Sequence, residues 1–292
     1  MTVFRTNAAA LVASNVAGRV APARLHPEAM AIDREGRSRL LPGTGGIAVG
    51  VHAGDPVDRW VGDHLMPGAS GEDASGTPAI AGPLHLLSCV GNRVRDAAGR
   101  SIGVVAGKRG GLAPGFWAPQ LVGIEIGDEV ASRLTPEDRI VVETVGRGMT
   151  LTDNPQIVLS NLSLRLLSVL PLVEIDDALS CDVCSLVPPE AARAGLGQDA
   201  WVGDLEITDP AIPSGLHFGD LVASIDIDST VTRFYRPGYI SVGIVSHGPG
   251  QAPAHGVGVT ILLTAPADCL KARIGNGKLG SVLVAWSPEI TS

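Results

Sequence analysis

Two histidines bracket a Gly/Pro-rich loop in the stretch His247-Gly-Pro-Gly-Gln-Ala-Pro-Ala-His255. Imidazole changes charge near neutral pH and offers a nitrogen lone pair, so the pair is equipped for proton transfer or for holding a metal ion. Tyr239–Val245 before the loop and Val257–Leu263 after it are β-rich runs, which makes the segment a strand–loop–strand unit with both histidines at its tip. If the two strands are antiparallel neighbours with the histidines opposed, their Cβ atoms lie about 4.5–5.5 Å apart and share one mouth.

Asp63-His64 is a second place for acid–base work, because a carboxylate beside an imidazole can orient it or join it as a ligand. On a strand, adjacent side chains point to opposite faces, so one of the two is expected in a site. The Gly107-Lys-Arg-Gly-Gly111 segment puts Lys108 and Arg109 on a glycine background, suited to a carboxylate or phosphate. The Pro42-Gly-Thr-Gly-Gly46 turn, with Gly45 and Gly46, can bring backbone N–H groups to a ligand but lacks the Gly-Lys-Ser/Thr ending of a nucleotide loop. Cys181-Asp-Val-Cys184 has metal or redox spacing without a second Cys or His pair at zinc-ribbon distance, so two ordinary reduced thiols are expected. Asp226 and Asp228, with Ser224, share a strand face if the strand is regular, at about 6.6 Å.

The elements that must position these groups read as mainly β, with barrel-like subdomains and a few short helices. Glycine (37) and proline (21) make up about a fifth of the 292 residues and fall between short apolar runs, against roughly 12% in average chains. Gly-Asp pairs at Gly54-Asp55, Gly62-Asp63, Gly127-Asp128, Gly203-Asp204 and Gly219-Asp220 suit turns that feed strands, so most of these aspartates are read as structural. Hairpins are expected over Met30–Leu41 and over Arg93–Gly111 with the turn near Ala98-Gly99, and strands over Ile47–Val51, Arg139–Val145, Phe218–Asp228 and Gly280–Trp286. Helices are expected within residues 1–25, over Pro78–Leu87, from Asp153-Asn-Pro155 to near Pro171, over Pro189–Gly195, and from the capping Thr264 to Gly275. Residues 1–25 read as an N-terminal extension and 26–292 as one compact unit, with room for two lobes and a seam near 175–200.

A net charge of −8 and a pI near 5.3 weigh against a phosphate-binding surface, and 3% aromatic content weighs against base stacking. The apolar stretch Ile157–Ile175 is interrupted by Asn161, Arg165 and Pro171, short of the ~20 residues of a membrane helix. With no leader-like core at the N-terminus, a cytoplasmic protein is expected, as a homo-oligomer that covers its sheet edges.

The blocks Leu41–Ile47, Gly62-Asp-His64 with Pro67-Gly68, Cys89-Val-Gly-Asn92, Gly107–Gly111, Phe218-Gly-Asp-Leu-Val222, and the His247/His255 loop with Gly258-Val-Thr260 together resemble the prokaryotic domain-of-unknown-function family 4438. The resemblance runs from about residue 26 to 265. It implies a mostly β protein with barrel-type subdomains, and a histidine where this chain has Arg109; no activity comes with it. Asn92 and Asp220, within these blocks, join Gly45, Gly46, Lys108 and Arg109 as candidates for substrate binding. The leading expectation is an enzyme acting on a small polar or anionic metabolite by hydrolysis, elimination or cyclisation, with His247, His255, Asp63 and His64 as catalytic groups. No cofactor is required; a divalent metal, if used, would take His247, His255 and Asp63. Because no His-Glu-x-x-His spacing is present, metal-free acid–base chemistry is favoured. A non-catalytic small-ligand binder is the alternative, and an RNA- or ribosome-associated barrel, prompted by the Arg93–Gly111 hairpin, is the weaker one.

Overall fold

The computed structural model describes residues 4–24, 36, 41–74, 82–111, 119–192, 195–209, 215–250 and 255–288. The chain is mainly β. Strands β1 (Ser14–Val20), β2 (Ile47–Ala48), β3 (Gly68–Asp73), β4 (Arg93–Asp96), β5 (Ser101–Arg109), β6 (Leu121–Glu125) and β7 (Arg139–Thr144) form the first sheet. Its order is β1-β7-β4-β5-β6-β3, all antiparallel, and a further β1–β3 pairing closes it into a six-stranded barrel with β2 outside β3. Closure leaves the barrel strands no open edge. It also requires Gly18, where a Cβ would fall 2.6 Å from both Glu72 O and Leu84 Cδ2. Leu84 belongs to helix α1 (Pro83–Leu87), whose first turn is held by Asp73 Oδ1 accepting from Leu84 N at 2.9 Å. The barrel core includes Val20, Val94, Ile102, Val105, Val122, Ile124, Ile140 and Val142; its members alternate along β6 and β7, while β5 changes face between Ile102 and Val105.

The second sheet contains β8 (Val158–Leu159), β11 (Ser185–Val187), β12 (Leu205–Ile207), β13 (Leu221–Asp228), β14 (Phe234–His247) and β15 (Val257–Pro266), in the order β11-β13-β14-β15-β12, with β8 also on β15. A third sheet pairs β10 (Ala178–Val183) with β9 (Leu172–Ile175) and β16 (Leu270–Ile274). The central strands of the second sheet are buried on both faces: Leu221, Val242 and Ile244 share a core with Val104 and Ala106 of β5, while Val222, Val245 and Val259 face the other way. The end of β5 lies directly on β14 and β15. Thr260 Oγ1 accepts from Lys108 N at 2.8 Å, and a Cβ on Gly107 would fall 2.3 Å from Ser246 Cβ, so only glycine permits that approach.

Several expectations need correction. Ser14–Val20, assigned to an N-terminal extension, is a barrel strand; the only helical turn ahead of it, among the described residues, is the 3-10 segment Ala8–Ala10. The helix expected over 153–171 shrinks to α2 (Leu164–Leu167), because Val158–Leu159 pairs with β15 and Asn161 takes a left-handed φ of 49°. Thr264–Gly275 is not helical. Thr264 is a rung of β15 bonded to Ser241 (Oγ···Oγ1 2.9 Å), and Leu270–Ile274 pairs with β10 in parallel. Gly280–Trp286, read as a strand, is helix α3. The shared face of Asp226 and Asp228 is broken by a bulge at Asp226 (φ 56°); Asp226 accepts from Gly238 N, and Asp228 pairs with Arg236. The Arg93–Arg109 hairpin forms as expected, with Gly99 at its turn (φ 82°). The expected Met30–Leu41 hairpin lies almost wholly outside the described residues.

Candidate functional site

The strand–loop–strand unit exists, but its register differs from direct opposition of the two histidines. β14 and β15 are antiparallel, and His247 faces Gly258, while His255 stands two residues before β15 begins. Gly258 also faces Glu206 of β12 on its other side. A bare glycine in the middle of three strands thus lets His247 and Glu206 lean over it toward one another, and their ligand atoms, with that of Asp204, come within 4.8 Å.

His64 reaches the same place from the loop between β2 and β3. Its φ of 52° is unusual for a non-glycine residue, and it is fixed by His64 N donating to Pro249 O at 3.1 Å and Gly248 N donating to Leu65 O at 2.8 Å. Its Nδ1 lies 2.9 Å from Asp63 Oδ1, and its Nε2 lies 3.1 Å from His255 Nδ1. A carboxylate only accepts, so Nδ1 carries the hydrogen, and in the neutral ring Nε2 presents its lone pair to His255. Asp63 is itself held by the Pro42–Gly46 turn: Asp63 N donates to Pro42 O at 2.8 Å, and Thr44 Oγ1 donates to Asp63 Oδ2 at 3.1 Å.

His247 has different partners. Nδ1 lies 2.7 Å from Gly248 O, and Nε2 lies 2.8 Å from Asp204 Oδ2. The carbonyl demands a hydrogen on Nδ1, and a second proton lies between Nε2 and Asp204, making this a buried ion pair. Burial alone would raise the Asp204 pKa, yet the hydrogen bond and charge of His247 outweigh it and hold the carboxyl below its ordinary range. Glu206 is likewise held low against its burial, by the bond from His255 and by the charge of His247. Its Oε1 lies 3.5 Å from His255 Nδ1 and 3.7 Å from His64 Nε2, while Oε2 accepts from Gly256 N at 3.0 Å.

Arg109, at the end of β5, is 3% exposed, and burial lowers its pKa against the opposing pull of Asp204, Glu206 and Asp63. Its Nη1 is buried without a hydrogen-bond partner. Around the three imidazoles there are therefore three carboxylates and one guanidinium. His64 and His247 are closed off, and His255, with a side chain 17% exposed, is the most accessible imidazole of the three.

Of the residues singled out from the sequence, Asp63, His64, His247, His255 and Arg109 are brought together. Lys108 points to the other side of β5, donating to Asn161 Oδ1 at 2.9 Å and Trp201 O at 3.3 Å. Asn92 ties Cys89 N to Val145 O, and Asp220 accepts from His217 N. Gly45 and Gly46 pack against Pro22 and Ala23. The ligand set His247, His255 and Asp63 does not form: Asp63 stands behind His64, and His247 is engaged by Asp204. The sequence reading missed Glu206 and took Asp204 for a turn residue; the alternation Asp204-Leu-Glu206-Ile, which turns both carboxylates to one face of a short strand, was the available clue. Cys181 and Cys184 have thiol pKa values pushed up by burial, to about 12 and about 11.

Residues 30–168 match the profile described as domain of unknown function (DUF4438), N-terminal, and residues 169–278 match its C-terminal counterpart. The crystal structure of TM1086 is similar to this chain, with 29% identity, 96% of this chain and 99% of that chain covered, and a TM-score of 0.86. No curated protein matches. None of the described helices is long and apolar enough to cross a membrane.

Proposed function

Since the chain belongs to the DUF4438 family, whose description carries no activity, we propose from its residues that it is an enzyme acting on a small polar or anionic metabolite by proton transfer at histidine. The observation that carries this is the Asp63–His64–His255 line, in which a carboxylate fixes one imidazole so that its lone pair faces a second, more accessible one. His255 exchanges the proton with substrate. His64 and Asp63 take up or return it, an arrangement that serves hydrolysis, elimination or cyclisation equally. Arg109 supports an anionic substrate, because a buried guanidinium nitrogen without a partner is the geometry that receives a carboxylate or phosphate oxygen. The His247–Asp204 pair acts as a rigid wall of the centre.

The test is turnover of a panel of small carboxylated and phosphorylated metabolites by wild type, His64→Ala and His255→Ala. Product formed by wild type and lost in both variants supports the reading. Equal turnover in all three removes these histidines from the chemistry, and saturable binding with no product makes the protein a ligand-binding one.

A further inference from the structure

We infer that a divalent transition-metal ion, of the zinc class, binds between His64 Nε2, His255 Nδ1 and Glu206 Oε1. The inference rests on the reading above that this centre is enzymatic and changes one part of it: with an ion between the imidazoles, they hold the ion and no longer carry the proton themselves.

The three atoms are separated by 3.1 Å, 3.5 Å and 3.7 Å. The circle through a triangle of those sides has a radius of about 2.0 Å, so an ion at its centre or slightly above it makes bonds of about 2.0–2.2 Å to all three, the lengths of zinc–imidazole and zinc–carboxylate bonds. In a tetrahedral site, neighbouring ligand atoms stand about 3.3 Å apart, and the observed edges bracket that figure. Two imidazole nitrogens and one carboxylate also make the donor set of hydrolytic zinc sites, with one coordination position left for water or substrate.

The surroundings fit as well. His64 gives its other N–H to Asp63, the carboxylate–imidazole support that fixes the tautomer of a metal-bound histidine, and Asp63 is braced by Thr44. Glu206 has its second oxygen pinned by Gly256 N, which leaves Oε1 turned to the histidines. Three carboxylates stand against one guanidinium and the His247 imidazolium, so the centre keeps a net negative charge that favours a cation.

A second grouping, Asp204, Glu206 and His247, shares Glu206. It is not assigned an ion. His247 Nε2 already faces Asp204 across a proton, and the strongest opposing charge on Arg109 is that of Asp204, which puts the guanidinium on that side. With the ion in place, His64 and His255 would serve as ligands, and the ion would lower the pKa of a water at the open position so that the resulting hydroxide takes the substrate's proton.

The experiment uses the full chain, stripped with chelator, desalted and titrated with Co²⁺ while the visible d–d absorption is followed. The expected result is one Co²⁺ per chain with bands of a four- or five-coordinate site. Glu206→Gln and His255→Ala should lose the bands, and Asp63→Asn, which keeps every ligand, should weaken binding by about 10–100-fold. Near-UV circular dichroism of each variant establishes that it is folded, and the wild-type titration stands without any variant. No retained Co²⁺ in wild type, unchanged binding in folded Glu206→Gln, or two ions per chain would overturn the assignment. Turnover that persists in the stripped protein overturns the metal and leaves the proton-transfer enzyme standing; Co²⁺ bound with no turnover of any metabolite does the reverse.

Discussion

His247 faces Gly258 across the β14–β15 pair, and a Cβ at position 258 would lie 1.9 Å from His247 Nε2. That distance is far inside van der Waals contact and the ring is fully buried, so it has nowhere to retreat. Gly258→Ala should therefore push His247 off Asp204 and away from Glu206. The expected loss is about 1–3 kcal/mol in urea unfolding, the range for overpacking a filled interior, together with loss of turnover. Unchanged stability in this variant would mean that the imidazole does not lie over the glycine.

The His247–Asp204 pair sets an acid limit. Folded-state pKa values of Asp204 and Glu206 lie below their ordinary 3.8 and 4.5, so the stability they contribute is full above about pH 4.5 and is lost as pH falls through the lower folded values. Wild type should lose unfolding free energy below pH 4.5, and Asp204→Asn should show a shallower acid limb. At neutral pH the same variant should be less stable by about 3–5 kcal/mol, because it leaves an imidazolium buried without its partner. Guanidinium titrations at pH 3.5, 4.5 and 7 test both statements.

How far the chain reveals itself depends on the range over which each choice is made. The β4–β5 hairpin and the β14–β15 unit were legible because alternation and a glycine turn decide them locally. Thr264–Gly275 misled because capping residues and late cations look the same whether or not a neighbouring strand claims them, and Ser241 with β10 does so here. Asp63, His64, His247 and His255 stood out by residue type. Glu206 did not, since its role depends on β12 lying beside β15 opposite a glycine, a pairing between segments about fifty residues apart. Asp204 was hidden among four other Gly-Asp pairs that look alike in sequence.

Lys108 predicts an alkaline effect. Burial is the main cause lowering its pKa from 10.5 to about 7, while its Nζ is bonded to Asn161 and Trp201. Between those two values the unfolded chain holds a proton that the folded one lacks, so stability should rise with pH from about 7 toward 10.5, at up to about 1.4 kcal/mol per pH unit. Lys108→Met should abolish that rise. A wild-type urea midpoint that stays flat between pH 7 and 9.5 would show that Lys108 keeps its proton in the fold.

Asp63→Asn tests the orientation of His64 without removing an imidazole. The carboxylate requires the hydrogen on Nδ1 and so leaves the Nε2 lone pair facing His255. An asparagine amide can donate to Nδ1 instead, which moves the hydrogen to Nε2, blocks proton uptake there and weakens ion binding. Thr44 and the Pro42 carbonyl still hold the backbone and side chain of residue 63, so the fold should survive. The expected outcome is a fall in turnover of about 10²–10⁴-fold, the worth of a positioned acid–base group, with an unfolding midpoint close to that of wild type. Equal falls in turnover and in folded fraction would make Asp63 a packing residue; turnover at the wild-type rate would mean that the tautomer of His64 plays no part.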